Sequence, residues 1–311
     1  MLNRLVSVAP MMDCTDKHAR YFLRLISPNV LLYTEMITAN ALIFGDYKNL
    51  LAYDEFEHPV ALQLGGSDPA RLSQCAKLGE DFGYREINLN VGCPSDRVQS
   101  GQFGACLMLK PNLVAECVAA MCDAVKIPVT VKCRIGVDEN DSYEALVHFI
   151  KYVSAAGCKV FIVHARKAWL SGLSPKQNRE VPPLRYDVVL QLKKDFPELT
   201  FILNGGIKKI SEVKEHLKLF DGVMIGREAY YNPFFLNEIE QEIFLRKKSL
   251  TRFEVMEKFI PYIQKQLKNK IKISHITRHL FGLFHGQPYA KMWRKWLGEA
   301  RHLDFILWEE Q

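Results

Sequence analysis

Short β-branched, apolar runs recur along the first three quarters of the chain. Between them lie longer stretches whose apolar positions fall at helical spacing. The runs cover residues 6–11, 31–36, 59–64, 86–91, 128–133, 160–165, 200–203 and 222–225, with helical patterns over 70–82, 111–125, 142–156 and 187–196. Strands that alternate with helices need crossover connections and hence a parallel sheet. Eight such units in about 230 residues predict an α/β fold, a closed TIM (β/α)8 barrel, with a doubly wound open sheet as the alternative. After Tyr231-Asn232-Pro233 the strand pattern stops, and helices are predicted over 253–268, 273–284 and 290–300, the last two broken by Gly286-Gln287-Pro288. The pattern therefore divides the chain into a barrel domain, 1–239, and a smaller all-α domain, 240–311, joined without a linker.

Charge follows the same division. Residues 1–239 hold 27 Lys+Arg against 27 Asp+Glu, and residues 240–311 hold 14 against 8. Between Arg246 and Lys295, 13 basic residues stand against 2 acidic ones, Glu254 and Glu257. The net +6 thus belongs to the C-terminal quarter, as in a surface that holds a polyanion; a solvated basic helix face is the alternative. Phe253, Phe259, Tyr262, Phe281, Phe284, Tyr289, Trp293 and Trp296 interleave with this charge. Their spacing places most of them in a helical core and not on a base-stacking surface. No stretch approaches the roughly 20 apolar residues of a membrane span, and the first ten residues lack a secretory pattern, so a cytoplasmic location is expected. Eight cysteines contain no CxxC pair, which speaks against a zinc ribbon or a disulfide scaffold, and no metal is expected.

In a TIM barrel, chemistry gathers where the strands end. Those positions hold Pro10-Met11-Met12, Glu35, Gln63, Asn90 with Gly92-Cys93-Pro94, Lys132, His164, Asn204-Gly205-Gly206 and Gly226-Arg227. The glycine turns after strands 7 and 8, with Arg227, occupy the usual phosphate site of the fold; two plain tight turns are the alternative. Lys132 suits the electron-rich end of a reduced flavin. Gln63 can serve both donor and acceptor edges of an isoalloxazine ring, and His164 suits its ribityl-phosphate end. Each could equally be a satisfied polar residue at a strand terminus. Cys93 sits between glycine and proline on a stiff turn at the barrel mouth, with Cys14 and Cys106 as rivals. Cys75, Cys117, Cys122 and Cys158 read as helix packing, and alternation turns Cys133 away from the lumen.

These residues together resemble the tRNA-dihydrouridine synthases, and among them the DusA subfamily. The resemblance rests on Ala9-Pro10-Met11-Met12, on residues 58–66 around Gln63, on the Asn90-Val91-Gly92-Cys93-Pro94 block within 87–108, and on Val129-Thr130-Val131-Lys132. It continues through 161–170 around His164, Asn204-Gly205-Gly206-Ile207 and Met224-Ile225-Gly226-Arg227, with residues 169–184 specific to the subfamily. It implies FMN bound by Pro10, Met11, Met12, Gln63, Lys132, His164, Asn204, Gly205, Gly206, Gly226 and Arg227, with NADPH as reductant. It also implies reduction of uridine to 5,6-dihydrouridine in the D loop of tRNA, at positions 20 and 20a. Hydride would pass from FMN N5 to C6, and Cys93 as general acid would give a proton to C5. Asn90, Gln177 and Arg179 are the implied tRNA contacts. Lys291 and Arg294 stand where the subfamily carries two arginines; the lysine keeps the charge but lacks the bidentate fork. A monomer is expected. The alternatives in other classes are a flavin barrel reductase acting on a free pyrimidine and a non-catalytic RNA-binding protein.

Overall fold

All eight apolar runs become parallel strands: β1 (Val6–Val8), β2 (Leu32–Thr38), β3 (Val60–Gly65), β4 (Glu86–Val91), β5 (Val129–Arg134), β6 (Val160–His164), β7 (Thr200–Asn204) and β8 (Gly222–Ile225). The computed structural model describes residues 2–248 and 250–299. The sheet runs β1-β8-β7-β6-β5-β4-β3-β2. It closes where Val8 N donates to Leu31 O at 2.9 Å and Leu31 N to Val6 O at 3.1 Å. That closure makes the fold a TIM barrel and excludes the doubly wound sheet.

β1 is shorter than its apolar run. Pro10 has no N–H to donate to the ladder, so Pro10-Met11-Met12 leaves the sheet and lies along the barrel mouth. The helices are set by their caps. Asp68 accepts from Arg71 N at the start of Pro69–Asp81, and Ser142 from Ala145 N at the start of Tyr143–Ala155. Proline occupies the first turn of Pro69–Asp81 and of Pro111–Ala124, where its missing N–H is no loss. Cys158 was expected on a helix but is buried in the turn before β6.

Alternation along the strands divides the apolar residues into two sets. The larger set fills the space between sheet and helices and includes Cys133. A smaller one, with Tyr33, Ala61, Ile162, Ile202 and Met224, fills the lower lumen. The C-terminal helices extend the larger set: Val255, Phe259, Ile263, Leu280 and Trp293 are buried in the same cluster as Phe22 and Ile26 of the helix Lys17–Ile26. Of the interleaved aromatics, Phe259, Tyr262, Phe284 and Trp293 are buried, as their spacing predicts, whereas Phe281 and Tyr289 are 37% and 50% exposed.

The helix expected over 273–284 is broken. It runs as Ile273–Thr277, tightens to a 3-10 turn over Arg278–Leu280 and then becomes irregular. Docking outweighs helix continuation here. A Cβ at Gly282 would lie 2.5 Å from Tyr231 O, so the chain packs backbone to backbone against the end of the barrel. The final helix is Ala290–Glu299; the rest of the prediction, Ala300, and residues 301–311 lie outside the described residues.

One carboxylate ties the two regions together. Asp16 caps the helix Lys17–Ile26 by accepting from His18 N and Ala19 N. Its other oxygen lies 2.6 Å from Arg278 Nη2 and 3.0 Å from His279 Nε2. Burial works to raise its pKa, but the bonds and charge from His279, Ala19 N and Arg278 prevail and hold it well below the usual carboxylate range. A depressed folded pKa means stability that is present above the unfolded value of about 3.9 and lost as pH falls. Asp16→Ala is therefore expected to lower unfolding free energy by about 2 kcal/mol at pH 7 in chemical denaturation. The gap to the parent protein should narrow below about pH 4; equal stability at neutral pH would show that this anchor contributes nothing.

Candidate active site

A cavity of about 1110 Å³ opens at the C-terminal ends of the strands. Pro10, Met11, Met12, Gln63, Asn90, Cys93, Lys132, His164, Arg179, Asn204, Gly205, Gly206, Gly226 and Arg227 all line it. Gln177, Lys291 and Arg294 lie outside it, on exposed surface. Of the rival thiols, Cys14 lines the cavity and Cys106 does not. Burial pushes the Cys14 thiol up to about 11, helped by the charges of Asp13 and Glu35.

The Cys93 turn is held from several sides. Asn90 Oδ1 accepts from Gly92 N at 3.1 Å and Cys93 N at 3.0 Å, and its amide donates to Gln63 Oε1 at 2.9 Å. The Asn90 side chain thus shapes the loop that carries the thiol. Ala105 N donates to Cys93 O at 2.8 Å. Gly104 passes so close that a Cβ there would lie 2.5 Å from the same oxygen, and its φ of +77° favours glycine in any case. The half-buried Cys93 Sγ lies 3.5 Å from Ser95 Oγ.

Arg134 is a residue that strand-end reading missed. Its Nε donates to Gly92 O at 2.9 Å, and its Nη1 to Lys167 O and Asn178 O, both at 3.0 Å. One buried guanidinium thereby joins the loops after β4 and β6 to the segment around Asn178. The signal was present: the alternation that turns Cys133 outward turns Arg134 inward beside Lys132.

Lys132 Nζ donates to Asn204 Oδ1 at 3.1 Å, while Asn204 Nδ2 donates to Met224 O at 2.8 Å. The asparagine is therefore a fixed acceptor that aims the lysine. Burial, and after it the Arg134 guanidinium, push Lys132 down from 10.5 to about 8. Burial and the cations Arg134 and Lys132 also hold His164 well below its ordinary range, so its imidazole is neutral at pH 7. Gly205 and Gly206 have φ of +119° and +76°, and a Cβ on either would strike His164, Leu184 or Tyr186. At Gly226 a Cβ would meet open space. Arg227 does not stand alone at this turn. It pairs with Glu180 at 2.6 Å, linking the strand 8 turn to the 3-10 segment Gln177–Arg179. Lys17, Arg97, Lys208, His275 and Arg278 also line the cavity. Sequence reasoning did not place them there, because spacing along the chain does not show which loops converge.

Residues 7–305 match the profile of the family described as Dihydrouridine synthase (Dus). The chain belongs to this family. It is 61% identical over 300 residues to the tRNA-dihydrouridine(20/20a) synthase of Escherichia coli K12, covering 95% of this chain and 86% of that one. The proteins of the same name from Synechocystis sp. and Shewanella oneidensis are each 57% identical, over 296 and 304 residues, covering 95% and 97% of this chain and 89% and 90% of theirs. A solved complex of 2-naphthoyl-CoA reductase with 2-naphthoyl-CoA superposes with a TM-score of 0.60 at 10% identity, over 76% of this chain and 50% of that chain. That likeness concerns the fold alone. As a dihydrouridine synthase, the chain is an enzyme. Among the described residues, no cluster could hold a metal ion and no helix is long and apolar enough to cross a membrane.

Within this dihydrouridine synthase, Lys132 is a half-buried cation with a neutral partner. The donor set fits an electron-rich, phosphate-bearing ring: a lysine to offset negative charge, and at Gly205-Gly206 a turn where side chains have no room. A lysine whose folded pKa lies below its unfolded one opposes folding while charged. That penalty is full below about pH 8 and is relieved as pH rises toward 10.5, so the stability of ligand-free protein should rise across this window. Lys132→Met is expected to remove the rise and to raise Tm at pH 7 by about 2 °C or more. Thermal denaturation from pH 7 to 10.5 checks this, and a parallel pH profile for the variant would show that the ammonium is not strained.

Proposed function

We propose that this chain reduces uridine in the D loop of tRNA to 5,6-dihydrouridine, at positions 20 and 20a, with FMN as cofactor and NADPH as reductant. The supporting observation is the meeting of three elements in one cavity: the half-buried Lys132, the glycine turns after β7 and β8, and Cys93 on a rigid loop. The relatives' shared name, tRNA-dihydrouridine(20/20a) synthase, supports the substrate and positions. When bound, the flavin supplies the hydride that uracil C6 accepts.

The protein's own residues have the remaining tasks. Lys132 would hold the pyrimidine end of the flavin, Gln63 its polar ring edge, and Pro10, Met11 and Met12 its flank. Gly205, Gly206 and Gly226, with Asn204, His164 and Arg227, would hold the ribityl-phosphate. Reduction at C6 leaves electron density on C5 and O4, and C5 needs a proton. The Cys93 thiol gives it; the sulfur then regains a proton from solvent. A thiol suits this task because it ordinarily still carries its proton at neutral pH. The target base must leave the RNA stack to reach the cavity, so affinity has to come mostly from backbone phosphates. Residues 240–311 would act as the tRNA-binding domain beside the catalytic barrel, 1–239, in a monomeric cytoplasmic enzyme. The exposed Lys291 and Arg294 would join Gln177, Arg179 and the basic cavity rim in contacting RNA.

Cys93→Ala is expected to keep FMN and tRNA affinity while losing about 100-fold or more of turnover, read as dihydrouridine by nucleoside mass spectrometry. Undiminished product would remove this thiol from the mechanism. Replacing Lys291 and Arg294 together by alanine should raise the KM for tRNA and reduce the slope of log affinity against log salt by about 1 to 2. An unaltered slope would place the RNA on another face.

A further inference from the structure

Along β3, β4 and β5 the barrel lumen holds polar residues where a scaffold would need none. Glu86, Asn88 and Thr130 are wholly buried, and Gln63 nearly so. They form a continuous line across three strands. Cys93 N donates to Asn90 Oδ1 at 3.0 Å, Asn90 Nδ2 to Gln63 Oε1 at 2.9 Å, and Gln63 Nε2 to Asn88 Oδ1 at 2.7 Å. Asn88 Nδ2 then donates to Thr130 Oγ1 at 2.9 Å, and Thr130 Oγ1 to Glu86 Oε1 at 2.8 Å. Two of the links follow the register of the sheet, with Gln63 opposite Asn88 and Asn88 opposite Thr130. At the lower end Glu86 also accepts from Arg4 Nε and Tyr33 OH, each at 2.6 Å.

Every bond in this line runs the same way, from the Cys93 turn down to the carboxylate. Its two ends determine that sense. A backbone N–H can only donate, and a carboxylate between an arginine and two hydroxyls can only accept. Turning over any one of the three amides would set donor against donor on one side and break the bond on the other, a net loss of at least two bonds. Gln63 therefore keeps one amide hydrogen and one oxygen lone pair unspent in a single orientation, and it lines the cavity.

We infer that Thr130, Asn88 and Glu86 are positioning residues: they fix the polarity of the Gln63 amide, and with it the Cys93 turn, so that the cavity offers a ring cofactor one predetermined pattern of donor and acceptor. None of the three lines the cavity. The inference rests on the flavin reading of the cavity.

Thr130→Val removes the hydroxyl at nearly constant volume and leaves Glu86 paired with Arg4 and Tyr33. Thr130→Ser keeps the hydroxyl, and Tyr33→Phe removes a donor to Glu86 without interrupting the line. FMN titration of the apoprotein should give Thr130→Val a Kd about three- to tenfold weaker, with Thr130→Ser and Tyr33→Phe within about twofold of the parent. In turnover, Thr130→Val should lower kcat and leave the KM for tRNA unchanged. Parent-like FMN affinity in Thr130→Val overturns the inference. Equal weakening in Thr130→Ser or Tyr33→Phe overturns it too, as does failure of Thr130→Val to fold, since each would make the role one of packing or stability. Parent protein that takes up no FMN would instead sink the flavin reading itself.

Discussion

Closing eight parallel strands into a ring brings all their C-terminal ends to one rim, and the site depends on this constraint. Residues as distant as Pro10 and Arg227 come to face one cavity because each follows a strand. The short β1 illustrates the economy of the arrangement. Pro10 ends the ladder where the chain has to leave the sheet, and the residues released become cavity wall. The same rim receives His275 and Arg278 from the C-terminal helices, so the barrel mouth and those helices adjoin.

Polar groups inside the barrel obey a second rule: once buried, each must find a partner. On the side of β6, β7 and β8 the lumen is apolar and needs none. On the side of β3, β4 and β5, the amides, hydroxyls and carboxylate satisfy one another, and the last acceptor in the line is filled by the turn that carries Cys93. Arg134 braces that turn from the opposite side through carbonyl oxygens. The thiol is thus placed by groups on several strands, as the proposed role of proton donor to a single carbon atom would require. Around it, the cavity concentrates positive charge in Lys132 and Arg134 while His164 stays neutral.

Much of this was legible in the sequence. The β-branched runs located every strand to within a few residues, because the face of each strand that packs on the helices has to be apolar. The strand-end residues marked the lining of the cavity, because closure brings the strand ends to one rim, and the Gly-Cys-Pro turn and the family resemblance singled out Cys93 as the candidate thiol. What could not be read came from tertiary pairing. Arg227 looked like a free phosphate ligand, but nothing in its neighbours announced Glu180, 47 positions away. Arg278 and Asp16 are separated by 262 residues. The helix over 273–284 had a sound amphipathic pattern and was overridden by the docking of Gly282 on Tyr231. Arg134 was within reach had β5 been followed one residue further.

The Asp16 contact has a geometric consequence. The carboxylate that starts the first barrel helix also grips Arg278, so the C-terminal helices cannot swing while that grip holds. Any long, flexible molecule lying across them is offered to the barrel mouth at one offset. Contour length from the point of grip would then decide which unit of such a molecule reached the mouth.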